Sequence, residues 1–239
     1  MDRARAQSYD SLADHYELLS GAGPDRVAEW LPSVLPDSGY TALDLGCGAG
    51  RHAVLLADRF DQVHAIDISP AMIELAEQTR PNPAVTYKVA DLFDVDGCYD
   101  LVFSSAMLHH VDDLSVALRH VGSLIAKGGT AVLVDVIAPD SPGLRLAHRI
   151  SSRSVYRASA LLHLIGAVTR GDRGGLERYR LMTYRPWLDH LVTDRFLTAA
   201  EFDATYKSNF PGAETVDLGF LRACVWSAAD RDRLCSTCP

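Results

Sequence analysis

Ala42-Leu43-Asp44-Leu45-Gly46-Cys47-Gly48-Ala49-Gly50 is the stretch whose reading decides the fold. An apolar run ends beside an acid, three glycines alternate with other residues, and a helix-like segment follows from Arg51 to Phe60. This is the pattern of a strand that stops and turns into a helix through bare backbone. Glycines at 46, 48 and 50 permit positive φ and let a ligand approach the main chain. The free N–H groups at the new helix's start then face that ligand.

Working outward, strand and helix keep alternating. Tyr40 to Leu45 is the first expected strand and Gln62 to Ile68 the second. Ser69-Pro70 suits the cap and first turn of a helix over Ala71 to Thr79. Strands over Val85 to Ala90 and Asp100 to Ser105, a helix over Asp112 to Ala126 closed by Gly128-Gly129, and a strand over Thr130 to Ile137 follow. Upstream, the apolar spacing of residues 2–19 predicts an amphipathic helix, and Arg26 to Leu35 a second one. Nearly all-apolar strands alternating with helices specify a parallel sheet covered on both faces.

The rhythm fails from Ala138 to Leu197. Helical stretches at Leu144 to Val168 and Arg178 to Phe196 flank a Gly/Arg-rich break there. We read this as a helical lid inserted after the fifth strand. A helix over Thr198 to Phe210, with Thr198 and Glu201 as a capping box, leads to strands at Glu214 to Leu218 and Arg222 to Ala228. Gly219 between them predicts an antiparallel hairpin. The expected fold is therefore α/β: a doubly wound, mostly parallel seven-stranded sheet with an antiparallel C-terminal hairpin. One domain over 1–239 carries N-terminal helices (1–36) and the lid (138–197).

Composition narrows the function. A formal charge of −8, with Lys88, Lys127 and Lys207 the only lysines, argues against a nucleic-acid partner. No apolar leader core stands at the start, and the apolar run around Ala158 to Val168 is too short for a membrane span, so a cytoplasmic location is expected. Cys235 and Cys238 form a lone Cys-x-x-Cys pair that reads as tail rather than a metal or redox site. Homo-oligomer formation is compatible with this composition and is not required by it.

In a doubly wound sheet, ligands bind beyond the strands' carboxyl ends. Asp67 ends the second strand twenty-one residues after Gly46, where a carboxylate can accept both hydroxyls of a ribose. Asp91 ends the third, and Ser104 to His110 the fourth. A dinucleotide fingerprint spaces its glycines as G-x-G-x-x-G around a pyrophosphate. Here they run G-x-G-x-G behind Asp44, an acid that repels pyrophosphate and attracts a cationic ammonium or sulfonium. That contrast favours S-adenosylmethionine over a nicotinamide cofactor.

The segments Ala42 to Gly50, Val63 to Ser69, Ala90 to Phe93 and Tyr99 to Asp112 resemble the successive motifs of class I S-adenosylmethionine-dependent methyltransferases. Leu108-His109-His110-Val111-Asp112, Lys127-Gly128-Gly129-Thr130 and Tyr9-Asp10-Ser11-Leu12-Ala13-Asp14-His15-Tyr16 are similar to the small-molecule branch. The resemblance implies that Asp44, Gly46, Cys47, Gly48 and Gly50 surround the cofactor's methionine part. It implies Asp67 and Ile68 at the ribose, Met72, Asp91 and Leu92 near the adenine, Ser105 on the inner side and Tyr16 over the top. The implied activity is methyl transfer to a small molecule, such as a secondary-metabolite intermediate, with oxygen, nitrogen or carbon as acceptor. A non-methylating cyclase, or another S-adenosylmethionine-binding protein on the same fold, is the rival.

Each candidate also has a plainer reading. Asp44 can serve turn N–H groups, and Asp91 competes with Asp94 and Asp96. His109 and His110 are candidate general bases, because histidine titrates near neutrality, or packing and capping residues. His148, His163 and His190 read as lid surface or core, and Tyr179, Tyr184 and Trp187 as packing aromatics or a substrate stack. Arg145, Arg149, Arg153 and Arg157 read as a solvated helix face more than as a binding stripe. No metal is expected, since no close-spaced ligand set recurs on one element.

Overall fold

The computed structural model describes residues 7–138, 153–192, 194 and 196–228. Helices α1 (Ala13–Gly21) and α2 (Arg26–Trp30) precede β1 (Gly39–Leu45), α3 (Arg51–Leu56), β2 (Phe60–Asp67), α4 (Pro70–Thr79) and β3 (Val85–Val89). Then come β4 (Tyr99–Ser105), α5 (Leu114–Ser123) and β5 (Ile125–Val136). Helices α6 (Arg153–Thr169), α7 (Gly175–Met182) and α8 (Arg185–Leu191) lead to α9 (Ala199–Asn209), β6 (Glu214–Asp217) and β7 (Leu221–Ser227).

The sheet has seven strands in the order β3-β2-β1-β4-β5-β7-β6. The first five run parallel, and β7 pairs antiparallel with both β5 and β6. Order reverses between β1 and β4, and that switch point is where the loop after β1 opens. Leu43, Leu45 and Val102 face one apolar cluster and Ala42, Leu101 and Phe103 the other, so each face of the sheet has its own core.

Element boundaries moved where a residue imposed a local cost. The helix after the glycine turn ends at Leu56, because Phe60 already belongs to β2. Pro32 converts the end of the second helix into a 3₁₀ turn, Leu31–Ser33. Gly128-Gly129 does not close α5, which stops at Ser123. The pair lies inside β5, at a register irregularity against Tyr99 and Leu101. A Cβ on Gly129 would stand 2.9 Å from the Tyr99 carbonyl, so a side chain is excluded by the neighbouring strand. The expected helix over residues 2–19 is, in its described part, a 3₁₀ turn at Gln7–Ser11 followed by α1. Arg178 to Phe196 is two helices, parted at Tyr184 just before Pro186. The expected capping box of α9 is present, with Glu201 N–H donating to the Thr198 hydroxyl and Thr198 N–H to Glu201. Arg145, Arg149, His148 and the Cys235/Cys238 pair lie outside the described residues.

Candidate functional site

The end of β1 is held by its neighbours. Gly46 and Cys47 N–H both donate to the Ile66 carbonyl (2.9 and 2.8 Å), and the buried Ser104 hydroxyl donates to Leu45 O (2.9 Å). Gly50 N–H then closes the turn onto Cys47 O at 2.9 Å. Asp67, at the end of β2, pins the turn from the side. One of its oxygens accepts from Gly48 N–H and the other from Ser69 N–H, each at 2.9 Å.

The three glycines have positive φ for different reasons (72°, 51° and 78°). A Cβ on Gly46 would meet Met107 Cγ at 2.4 Å, and one on Gly50 would meet the Tyr87 hydroxyl at 2.5 Å. Gly48 alone opens onto space, with only Tyr16 at 4.0 Å. Gly46 and Gly50 therefore serve packing, while Gly48 leaves backbone bare to a ligand.

That space is a cleft open to solvent, lined by both apolar and polar side chains. Of the residues expected to bind cofactor, Tyr16, Gly46, Gly48, Asp67, Ile68, Met72, Leu92 and Ser105 line it. Asp44, Cys47, Gly50 and Asp91 do not. Cys47 is buried, and burial pushes its thiol well above the ordinary value. Asp91 caps the 3₁₀ turn Leu92–Asp94 by accepting from Phe93 N–H at 3.1 Å, the local use that short acids favour. Its neighbours Ala90 and Leu92 supply the wall instead.

Asp44 lies directly behind the turn, 1% exposed, and one of its carboxyl oxygens has no hydrogen-bond partner among the described residues. Burial, aided by the Asp67 charge, lifts its pKa to about 7. Asp67 is likewise raised by burial, against the pull of its backbone donors. Burial raises the pKa of both carboxyls, and a cationic ligand beside them would favour their charged forms. The open Gly48 backbone, the orphaned Asp44 oxygen and the apolar wall of Met72 and Leu92 fit a nucleoside bearing a cationic amino acid.

Ala106, on the cleft wall, is the one described non-glycine residue with positive φ (54°), placing backbone strain beside the site. Tyr9 and Met107 also line the cleft and escaped the reading of single residues. Tyr9 did lie inside a segment singled out by the family resemblance.

The two candidate bases part company. His110 lines the cleft; His109 does not. Their rings lie 3.9 Å apart. His109 Nδ1 is 2.5 Å from Asp135 Oδ1 at the end of β5, with both side chains almost fully buried. Burial lowers the His109 pKa, but the Asp135 charge and hydrogen bond outweigh it and the net direction is up. His110 Nε2 bonds the Tyr9 hydroxyl (3.2 Å), and its Nδ1 is 3.5 Å from Asp194. His190, read from the sequence as plain surface or core, bonds the same Tyr9 hydroxyl at 2.9 Å. Burial and the neighbouring His109 lower its pKa to about 4, so it is neutral at pH 7. Asp135, His190 and Asp194 carried no local motif; only the topology brings them to this edge. His109, His110 and Asp194 also place one ligand atom each within 4.8 Å of the others, a grouping that spacing within one element did not foretell.

The fold and this strand edge define the class: a class I S-adenosylmethionine-dependent methyltransferase fold with its motifs in order. Residues 43–133 match the family described as "Methyltransferase domain". The chain is similar to trans-aconitate 2-methyltransferase of Methylobacterium radiotolerans, 31% identical over 138 residues, 56% of this chain and 52% of that protein. The chain spans about half the length of the curated relatives it matches. The crystal structure of magnesium protoporphyrin IX methyltransferase from Synechocystis with bound S-adenosylhomocysteine superposes with a TM-score of 0.61 at 19% identity, covering 95% of this chain and 99% of that one. The [4+2]-cyclase SpnF superposes at 0.58 and 15% identity, covering 89% and 73%. At such identities these two speak for the fold alone.

Proposed function

We propose that the protein transfers a methyl group from S-adenosylmethionine to a small-molecule acceptor, with His110 receiving the acceptor's proton. The observation that carries the reading is His110 on the wall of the cleft that Gly48, Asp67 and Tyr16 also line. The cofactor supplies an electrophilic methyl on a sulfonium sulfur. Gly48, Asp67, Ile68, Met72, Leu92, Ser105 and Tyr16 hold it from the cleft, and Asp44 provides a buried counter-charge behind the turn. Asp91 would act through its neighbours Ala90 and Leu92.

Tyr9 fixes the His110 ring through Nε2, and Asp194 faces Nδ1. Both ring nitrogens are therefore engaged in this structure, and an acceptor entering the cleft would take the place of the Tyr9 hydroxyl at Nε2 before His110 receives its proton. His109 and Asp135 form a buried hydrogen-bonded pair directly behind, a positioning element rather than a group touching substrate. Most of the rate gain falls to alignment of acceptor and methyl within the cleft. Trp187 lies against the cleft-lining Tyr16, with ring centroids 5.9 Å apart, and Tyr184 packs tilted against His15 beside it, so aromatic side chains flank the proposed acceptor side.

The test is incubation with S-adenosylmethionine and a panel of small hydroxyl, amine and carboxyl acceptors. Methylated product with stoichiometric S-adenosylhomocysteine supports the proposal. Product formed with unchanged mass and no S-adenosylhomocysteine would instead support the cyclase-like reading, which the fold shared with SpnF keeps as the second one.

A further inference from the structure

Helix α6 is apolar on two sides. Ala160 and Ala167 are buried inward. On the other side Leu161, Ile165 and Val168 follow i, i+4, i+7 spacing and, with Leu162, are 47 to 67% exposed. A helix apolar all round ordinarily has both sides covered, and a contiguous exposed stripe of this kind marks a contact surface. Charge identifies what it meets. Seven arginines against three acids give residues 153–192 a formal charge of +4 on a chain of −8, leaving −12 on the remainder. Arg157, Arg170 and Arg173, at the flanks of the stripe, are exposed.

We propose that α6 docks the protein onto an anionic lipid surface, its leucine stripe entering the interface and its flanking arginines meeting the headgroups. An apolar helix face rimmed by arginine has the makeup of an interfacial helix. The strongly acidic remainder is repelled by the same surface, so the charge asymmetry also sets which side faces the lipid. A second copy is the poorer occupant. A two-fold contact through this face would set two arginine-rich patches against each other. The described helices do not span a bilayer, since none is long and apolar enough, so contact is peripheral. The inference stands independently of which acceptor is methylated, or whether one is.

The experiment is flotation of the full chain with vesicles of phosphatidylcholine alone and of phosphatidylcholine containing phosphatidylglycerol. Binding is expected to the second, weakened by high salt, and at least about tenfold weaker to the first. Leu162→Glu with Val168→Glu should abolish it. Arg157→Glu with Arg173→Glu should weaken it by about fivefold or more per arginine. Both double variants should keep wild-type circular dichroism and S-adenosylmethionine affinity, which shows they fold. Equal binding to both vesicles, or binding to neither, overturns the proposal. So does a dimer in sedimentation velocity that the leucine–valine double variant dissolves while vesicle binding is absent.

Discussion

The two halves of the candidate site are built by opposite logics. The cofactor side, β1 to β4, is assembled from short local devices: a glycine turn, an acid ending a strand, a serine cap. The acceptor side is assembled from residues far apart in the chain. Tyr9, His110, His190 and Asp194 meet there across a span of 185 positions, from Tyr9 to Asp194. The first kind is written in spacing, and the second only in topology. The contrast makes a claim about function: substitutions on one side should move cofactor affinity, and those on the other should move turnover or acceptor binding.

The sharpest test of that division is His110→Gln. Removing a positioned base typically costs 10²–10⁴-fold, so kcat should fall by roughly that factor. S-adenosylmethionine affinity by calorimetry should stay within about threefold, since the ring is one of many cleft walls. Because His109 Nδ1 and His110 Nε2 are already engaged by Asp135 and Tyr9, turnover should survive EDTA treatment unchanged. Metal-restored activity after EDTA would instead assign His109, His110 and Asp194 as ligands.

Asp67→Ala should do the converse. It removes the acceptor of two turn N–H groups as well as the proposed ribose contact. Hydrogen bonds to a charged partner are worth about 1.5–3 kcal/mol each, so affinity should drop roughly 100-fold or more. Unchanged calorimetric affinity would remove Asp67 from the site.

Asp135→Asn tests what lies behind both sides. His109 keeps a partner but loses its counter-charge, and can relieve the cost by becoming neutral. The expected loss is therefore about 1–3 kcal/mol, below the cost of stranding a buried charge. The pH dependence has a definite sign. A folded-state pKa above 6.5 means His109 contributes stability fully present below pH 6.5 and lost as pH rises through the folded value. His190, lowered to about 4, works the other way: its contribution is complete above pH 6.5 and fades as pH falls toward 4. Asp44, raised to about 7, removes stability as pH climbs from the ordinary carboxyl range to 7, so the histidines alone do not set the Tm maximum. Asp135→Asn should flatten only the part of the alkaline fall that His109 contributes. An unaltered alkaline limb would detach His109 from it.

Legibility followed the same division. The mostly parallel sheet, the hairpin and the capping box were readable because each rests on contacts within a few residues or on the alternation of strand and helix, and eight of the expected cofactor residues lie on the cleft wall because strand ends place them there. Asp91 lies off the cleft wall for a local reason, since one of its oxygens accepts from Phe93 N–H in the 3₁₀ turn it opens. Gly50 lies off it too, and its lack of a side chain answers to Tyr87, thirty-seven residues away. Gly50→Ala should cost about 1–3 kcal/mol through a clash at positive φ, with no first-order effect on turnover. Histidine pairing and the lid's helix break at Tyr184 needed the tertiary structure.

The smallest expected effect tests the acceptor side most directly. Tyr184 is 46% exposed, and its ring lies tilted against His15 with centroids 4.5 Å apart. An aromatic contact of this kind is worth about 0.5–1.5 kcal/mol, so Tyr184→Ala should raise acceptor KM by roughly 2- to 12-fold. Cofactor affinity and kcat should remain as in the wild type, because uniform binding is lost without touching the reacting atoms. Helix α7, however, also braces α1 through His15 Nε2 to Leu181 O (3.0 Å) and Arg178 to Ala22 O (3.0 Å), and α1 carries Tyr16. A matched loss of cofactor affinity in Tyr184→Ala would therefore show that the lid holds Tyr16 in place, and that the two sides are mechanically one.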